Sequence, residues 1–497
     1  MSKTVIAAAT ESGSVVGFRK TGGVLHFRGI PYAAAPFGDR RFRAPERHPG
    51  WVGDRDATVT GATSPQREPA FRGRGFNYRA IFCPGWVRGD EILNLNIWTP
   101  SLTGKLPVMV YIHGGAFDHG NGAVPLYDGT RFAESGVVLV TINYRLGLEG
   151  FLLLEGGEAN VAIQDQIAAL EWVSRNIAGF GGDPGNVTIF GESAGGASVN
   201  LLLTAPKASK LFHKAISQSG MAPDAPSAES ARTVTEQVAE EMGLAPTAEA
   251  FRNLAPEALL VAAEDVAKKR AKSLLASEGT LIARPHADGK VLPISPREAF
   301  AAGSAADKRV IWGFNSDEAT LFTVPNGLHA KATMEDVQRY AAGVNANPER
   351  LIAYVRSVLG EAASPGQIRD RIQSWAMFAA GSVRSAGVHA RNGGKAWLYE
   401  FAWKSPQLDG TIGASHLVEL PFVFDALQQP NVPAMLGDEA PQALAADMHG
   451  RWVAFAKTGD PGWPAYDEEK AVSMTFDQDS ATESGRHRSE MEFWNHG

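Results

Sequence analysis

The run Val187-Thr188-Ile189-Phe190-Gly191-Glu192-Ser193-Ala194-Gly195-Gly196 constrains this chain more than any other. Four strand-prone residues lead directly into Gly-x-Ser-x-Gly. That order predicts a sharp strand-to-helix turn with the Ser193 hydroxyl pushed out of the backbone. The flanking residues must be small, because strand and helix approach closely at such a turn. The helix expected after Ser193 runs towards Leu203.

The rest of the chain supplies the sheet that the turn needs. Residues 92–98, 106–112 and 137–142 read as strands. Residues 160–177 read as a helix, with Ile163, Ile167, Leu170, Val173 and Ile177 at spacings of three and four. Gly181-Gly182-Asp183-Pro184 is expected to stop it and turn the chain into a strand at Val187. Residues 214–216, 310–313 and 397–401 read as further strands, and 448–457 as a late helix. Strands alternating with helices predict an α/β fold with a large, mostly parallel sheet covered on both faces. Ligand chemistry then belongs at the carboxyl ends of the strands. The first 30 residues, broken by Gly13, Gly17 and Gly22-Gly23, read as a small antiparallel sheet. Residues 61–90 read as a surface loop. Segments 222–281 and 320–380 are helical in composition and are expected to roof the sheet and shape a pocket. The tail 478–497 mixes charges with Ser and Gly and is expected to be loosely held, with Phe493-Trp494 as its docking point.

Composition narrows the function. The 497 residues exceed the roughly 250–300 at which one core usually stops growing, so one large sheet domain with insertions or several lobes are both possible. Lys plus Arg is 47 and Asp plus Glu is 54, a net charge of −7. That balance disfavours nucleic acid or an anionic membrane as the main partner. Cys83 is the one cysteine, so no intrachain disulfide is possible, which fits a reducing, cytoplasmic setting. The apolar run Val5-Ile6-Ala7-Ala8-Ala9 is too short for a signal-peptide core, and no apolar stretch is long enough for a membrane span.

A serine hydroxyl needs a base to take its proton, and the base needs an acid to hold its tautomer. With this elbow the chain order is Ser, acid, His. Of the histidines beyond Ser193, His416 is best placed, on a small-residue loop (Gly413-Ala414-Ser415) braced by the apolar run 417–424. For the acid, Asp317 and Glu318 both follow the strand ending at Trp312, and local spacing leaves the two open. An attacked carbonyl becomes an oxyanion that needs backbone N–H donors. Ala194 supplies one, and the loop His113-Gly114-Gly115-Ala116-Phe117 is the source of the others. His113 precedes the elbow and is expected to orient this loop. No metal or cofactor is expected: there is no helical H-x-x-x-H pair, no cysteine cluster, and residues 181–184 lack the G-K-[ST] ending of a phosphate loop.

The chain resembles the type-B carboxylesterases, the family of the cholinesterases and, closest in character, the bacterial p-nitrobenzyl esterases. The resemblance covers nearly the whole chain. It rests on Gly29-Ile30-Pro31-Tyr32-Ala33 with Arg41-Phe42 and Pro45, on Leu95-Asn96-Ile97-Trp98, and on Asn143-Tyr144-Arg145-Leu146-Gly147 with Gly150-Phe151-Leu152. It continues through Asp165-Gln166, Trp172-Val173 and Phe180-Gly181-Gly182-Asp183-Pro184 into the elbow. The resemblance implies an α/β-hydrolase fold, one catalytic domain over 1–497 with pocket-shaping insertions at 65–91, 222–281 and 320–380, and ester hydrolysis through an acyl-enzyme. It implies Ser193 as nucleophile, Glu318 as acid, His416 as base, an oxyanion hole of Gly115, Ala116 and Ala194, and Gly114 and Ser219 as supports. The implied partners are a small-molecule ester and water, acting on a monomer or homodimer.

Three departures from the family pattern stand out. Ala116 replaces a commoner glycine. Ser64 and Ile92 stand where some members carry a disulfide, so the loop 65–91 is expected to be unpinned. Ala319 follows the acid where glycine is usual. No full aromatic wall of the cholinesterase kind is matched, although Phe71, Phe76, Tyr78, Phe82 and Trp86 lie in the loop. Short- to medium-chain or aryl esters are the expected substrates. A pocket specialised for carbamates, aryl amides or bulky esters is the alternative, a strict lipase is possible, and a noncatalytic binding protein is the remote one.

Overall fold

In the computed structural model, residues 5–67, 84–220, 225–273 and 282–494 are described. The strands among them are β1 (Val5–Thr10), β2 (Gly13–Arg19), β3 (Leu25–Pro31), β4 (Asp54–Asp56), β5 (Asn94–Thr99), β6 (Leu106–Ile112), β7 (Val138–Ile142), β8 (Gly182–Glu192), β9 (Lys214–Gln218), β10 (Arg309–Asn315), β11 (Lys395–Phe401), β12 (Val472–Phe476) and β13 (Ala481–Ser484). They form one sheet in the order β1-β2-β3-β5-β7-β6-β8-β9-β10-β11-β12-β13, with β4 beside β2. From β7 to β12 every neighbouring pair is parallel. The N-terminal strands are antiparallel as expected, but they continue the large sheet through β3 and β5.

Side chains alternate across the strands and feed two cores. Val108, Val110 and Ile112 of β6 enter one, and Met109 and Tyr111 enter the other. The first core is covered by α1 (Val161–Asn176) and α2 (Ala194–Thr204). The segments 222–281 and 320–380 contain the helices α3 (Ala228–Met242), α4 (Pro256–Ser273), α5 (Met334–Val344), α6 (Pro348–Leu359) and α7 (Pro365–Ser374), in line with their composition. Capping boxes start α5 at Thr333 with Asp336 and α7 at Ser364 with Gln367. A π-helical turn, Trp375–Ala379, joins α7 to α8 (Ala380–Arg391). The second core is closed by α9 (Gln442–Thr458), through Met448, Trp452 and Phe455.

Several boundaries differ from expectation. β8 starts at Gly182 rather than Val187, because Gly182 pairs with Leu106 before the register shifts. The helix α1 ends at Asn176 and tightens into a 3-10 turn, Ile177–Phe180. The tail is not loosely held over its described part. β13 pairs with β12, Trp494 is buried, and Asn345 Nδ2 donates to Phe493 O at 2.6 Å. Phe71, Phe76, Tyr78, Phe82 and Cys83 lie outside the described residues. Trp86 is inside them, with the Arg88 guanidinium 3.6 Å above its ring.

Candidate active site

Ser193 sits between the end of β8 and the first residue of α2, with φ 58° and ψ −122°. That region is sparsely populated and costs of order 1–3 kcal/mol, so surrounding structure must over-determine it. Two features do so. Ser193 N donates to Gln218 O at 2.9 Å. A Cβ on Gly195 would run into the Ile112 carbonyl oxygen, so only glycine lets the helix lie this close to β6. Glu192 and Ala194 are buried, and Ser193 between them is partly exposed.

The loop after β6 reaches the elbow from the other side. A Cβ on Gly114 would lie 3.1 Å from Ser193 Cβ, so the absence of a side chain allows the contact. Gly115, Ala116 and Phe117 have φ of 107°, 56° and 62°. Left-handed backbone costs roughly 1–2 kcal/mol at each non-glycine residue. It is offset by hydrogen bonds: Asp118 N and His119 N each donate to Gly115 O at 3.1 Å, and Gly147 N donates to Phe117 O at 2.7 Å. His113 Nδ1 donates to Gly114 O at 2.8 Å, and its ring stacks on Tyr144 at 4.5 Å. Burial pushes the His113 ring down to about 4, so it is neutral near pH 7 and braces the loop.

The adjacent acids separate. Glu318 Oε2 accepts from His416 Nδ1 at 2.6 Å, and Glu318 Oε1 accepts from Asn315 N at 2.8 Å. Asp317 instead accepts from Ala414 N at 3.0 Å and so shapes the histidine loop. His416 is buried, with the Phe378 and Phe322 rings 4.6 and 5.4 Å from its own. Its Nε2 lies 3.1 Å from Glu192 Oε1, one residue before Ser193. Ala319 has φ −68° and ψ −21°, ordinary helical values, so alanine replaces the usual glycine without strain. Its N–H donates to Ser374 Oγ at 3.0 Å. Ser219 takes φ 46°, and its N–H donates to Gly313 O at 2.8 Å. Its buried hydroxyl has no hydrogen-bond partner among the described residues.

Sequence reasoning passed over two buried carboxyls. Glu192 has both oxygens buried, with the His416 ring 3.1 Å from Oε1, and burial, then Glu318 and Glu419, push its pKa well up. Glu419 accepts from Tyr399 OH at 2.7 Å and Gln218 Nε2 at 3.1 Å. Burial pushes it up to about 8. Glu419 is therefore mostly neutral near pH 7, and burial drives Glu192 in the same direction. The available signal was an acidic residue inside an otherwise apolar or small-residue run, 187–196 and 417–424.

The loop expected to be unpinned is pinned at its base. Thr63 N donates to Val87 O at 2.9 Å, Thr63 Oγ1 accepts from Val87 N at 2.9 Å, and Leu146 N donates to Ser64 Oγ at 3.1 Å. Among the described residues, no group of three or more His, Cys, Asp or Glu could hold a metal ion, and no helix is long and apolar enough to cross a membrane.

A sequence model of the carboxylesterase family matches residues 3–494. The para-nitrobenzyl esterase of Bacillus subtilis (strain 168) is 35% identical over 96% of this chain and 95% of its own. The phenmedipham hydrolase of Pseudarthrobacter oxydans is 33% identical over 92% of each. The solved structure of the Geobacillus stearothermophilus carboxylesterase Est55 at pH 6.2 superposes with a TM-score of 0.85 at 37% identity, covering 98% of this chain and 99% of that one.

Proposed function

This chain belongs to the carboxylesterase family, serine hydrolases of carboxylic ester bonds, and from that premise we propose that Ser193, His416 and Glu318 carry its chemistry. The observation that carries the assignment is the Glu318–His416 hydrogen bond of 2.6 Å, with His416 Nε2 3.1 Å from Glu192, the residue before a serine held at φ 58°. Glu318 occupies Nδ1, so Nε2, which lies 3.1 Å from Glu192 Oε1, is the ring nitrogen to serve Ser193. His416 takes the hydroxyl proton as Ser193 attacks the ester carbonyl. The N–H groups of Gly115, Ala116 and Ala194 receive the oxyanion. His416 then protonates the leaving alcohol, and water activated by the same ring releases the acid from the acyl-enzyme. Gly114 supports the site through its contact with the elbow, and Ser219 through the turn after β9.

The proposed unit is one catalytic domain over 1–497, with 65–91, 222–281 and 320–380 shaping the pocket. Short- to medium-chain or aryl esters are the proposed substrates, and the proposed state is a cytoplasmic monomer or homodimer. One observation favours a second reading, a pocket specialised for carbamates, aryl amides or bulky esters on the same residues. A relative of similar identity carries the name of a hydrolase of one particular compound, phenmedipham. Initial rates on p-nitrophenyl acetate, butyrate, octanoate and palmitate beside a matched phenyl carbamate separate the two. Fast short-ester turnover lost in Ser193→Ala supports the first reading. Slow esters with a fast carbamate support the second. Full turnover in Ser193→Ala overturns both.

A further inference from the structure

Gln66 is a polar side chain buried to 4% exposure at the start of the 65–91 segment. Its amide is used at both ends by one residue of a different loop. Gly120 N donates to Gln66 Oε1 at 2.8 Å, and Gln66 Nε2 donates to Gly120 O at 2.9 Å. Nε2 also donates to Ser64 O at 3.2 Å. The side chain therefore pairs with Gly120 much as a neighbouring strand would.

Gly120 closes the 114–120 loop. It stands at φ 106°, and a Cβ there would lie 2.6 Å from both Gly114 O and His113 Nδ1. Its backbone thus rests on the carbonyl and the ring that set the direction of the Gly114–Gly115 peptide. The loop contains left-handed Ala116 and Phe117, a conformation the local chain does not favour. Its internal bonds run from Asp118 and His119 to Gly115 O, so a tether on Gly120 is carried to Gly115. Gly122 is held separately, by Asn143 Oδ1 at 2.7 Å and Thr141 Oγ1 at 2.6 Å, so the stretch just beyond the tether has its own fixed anchor.

We propose that Gln66 is a positioning residue for the oxyanion hole, clamping Gly120 so that the Gly115 and Ala116 N–H groups stay aimed at the site beside Ser193. The inference rests on the assignment of those donors under Proposed function. It also makes one side chain at the start of the 65–91 segment, Gln66, part of the catalytic geometry. Thr63, at the base of that segment, makes the comparison, because its bonds to Val87 N and Gly85 O do not touch Gly120.

The experiment compares Gln66→Met, Gln66→Glu and Thr63→Val with wild type. Met preserves volume and removes both bonds to Gly120 and the one to Ser64 O. Glu keeps the acceptor for Gly120 N but sets its second oxygen against two carbonyls. Active sites are titrated with a fluorophosphonate, so that kcat is read per competent site and misfolded protein drops out. Inhibition by a trifluoromethyl ketone, whose tetrahedral adduct places an oxyanion in the hole, is measured alongside. Displaced donors predict a loss of about tenfold or more in kcat per site and in inhibitor affinity for both Gln66 variants, with KM nearly unchanged. Thr63→Val is expected to keep both parameters near wild type. Unchanged kcat per site and inhibitor affinity in either folded Gln66 variant overturns the proposal. So does an equal loss in Thr63→Val, which would indicate general loosening. Failure of the fluorophosphonate to label wild type at Ser193 would instead overturn the underlying catalytic assignment.

Discussion

The two flanks of Ser193 are built from different materials. On one flank the elbow and the 114–120 loop meet backbone to backbone, at Gly195 against Ile112 O and at Gly114 against Ser193. On the other, Glu318, His416, Glu192 and Glu419 meet through side chains brought from three distant parts of the chain. The backbone flank has no room for an added atom, so its failures should be failures of folding. The side-chain flank holds buried titratable groups, so its failures should appear in rate and in pH dependence while the fold persists.

The strongest test of this contrast is Gly195→Val. Its side chain would have to displace the β6 backbone, so the cost should exceed the about 1–3 kcal/mol of ordinary overpacking. The expected outcome in a circular dichroism melt is a large fall in Tm or no folded protein. A variant that melts with wild type would show that the backbone flank yields after all. Next in size, Glu318→Gln should leave the melt nearly unchanged and lower kcat by about 10³–10⁴, the scale seen when a triad acid loses its charge. Asp317→Asn is its control, and a larger rate loss there would reverse the roles of the two acids.

A smaller effect concerns pH. Burial raises Glu419 to about 8 from an ordinary 4.5 and raises Glu192 in the same direction. A carboxyl whose folded pKa is raised binds its proton more tightly in the folded state. Its contribution to stability is whole below about pH 4.5 and is lost as pH rises through about 8. Glu419→Gln keeps a neutral group there, so the decline in Tm between about pH 5 and pH 8 should be shallower than in wild type. An identical slope would mean that Glu419 does not titrate in this window. The smallest effect is expected at Ala319→Gly. Ala319 is already helical, so glycine should cost about 0.5–1 kcal/mol through backbone entropy and leave kcat unchanged. A gain in stability would reveal strain in that turn.

The elements easiest to read in the sequence were those whose cause is local. The strands β6 to β11 announce themselves by apolar runs, and the helix over 161–176 by its period. β13 did not, because Ala481–Ser484 is exposed along its whole length and is held by edge pairing with β12. The tail was misjudged for the same reason: charged residues that make specific bonds look like charged residues that make none. Gln66 was passed over because a buried amide clasping a backbone 54 residues away has no periodicity to betray it. The missing disulfide suggested a free loop, and the hydroxyl of Thr63 ties its described base to Val87.

The sequence alone determined the elbow, the glycine loop, the order of Ser, acid and His, and the parallel sheet that carries them. These follow from short-range sterics and from side-chain alternation, which ten or so neighbouring residues specify. Local spacing left Asp317 and Glu318 open; the family resemblance implied Glu318, and the fold sets Glu318 against His416 and Asp317 against Ala414 N. Only the tertiary structure decided that Glu192 and Glu419 lie buried around His416, and that Gln66 ties one loop to another. Those outcomes depend on which distant groups share a water-poor interior. The energy of a buried carboxyl or amide is set by every element packed around it.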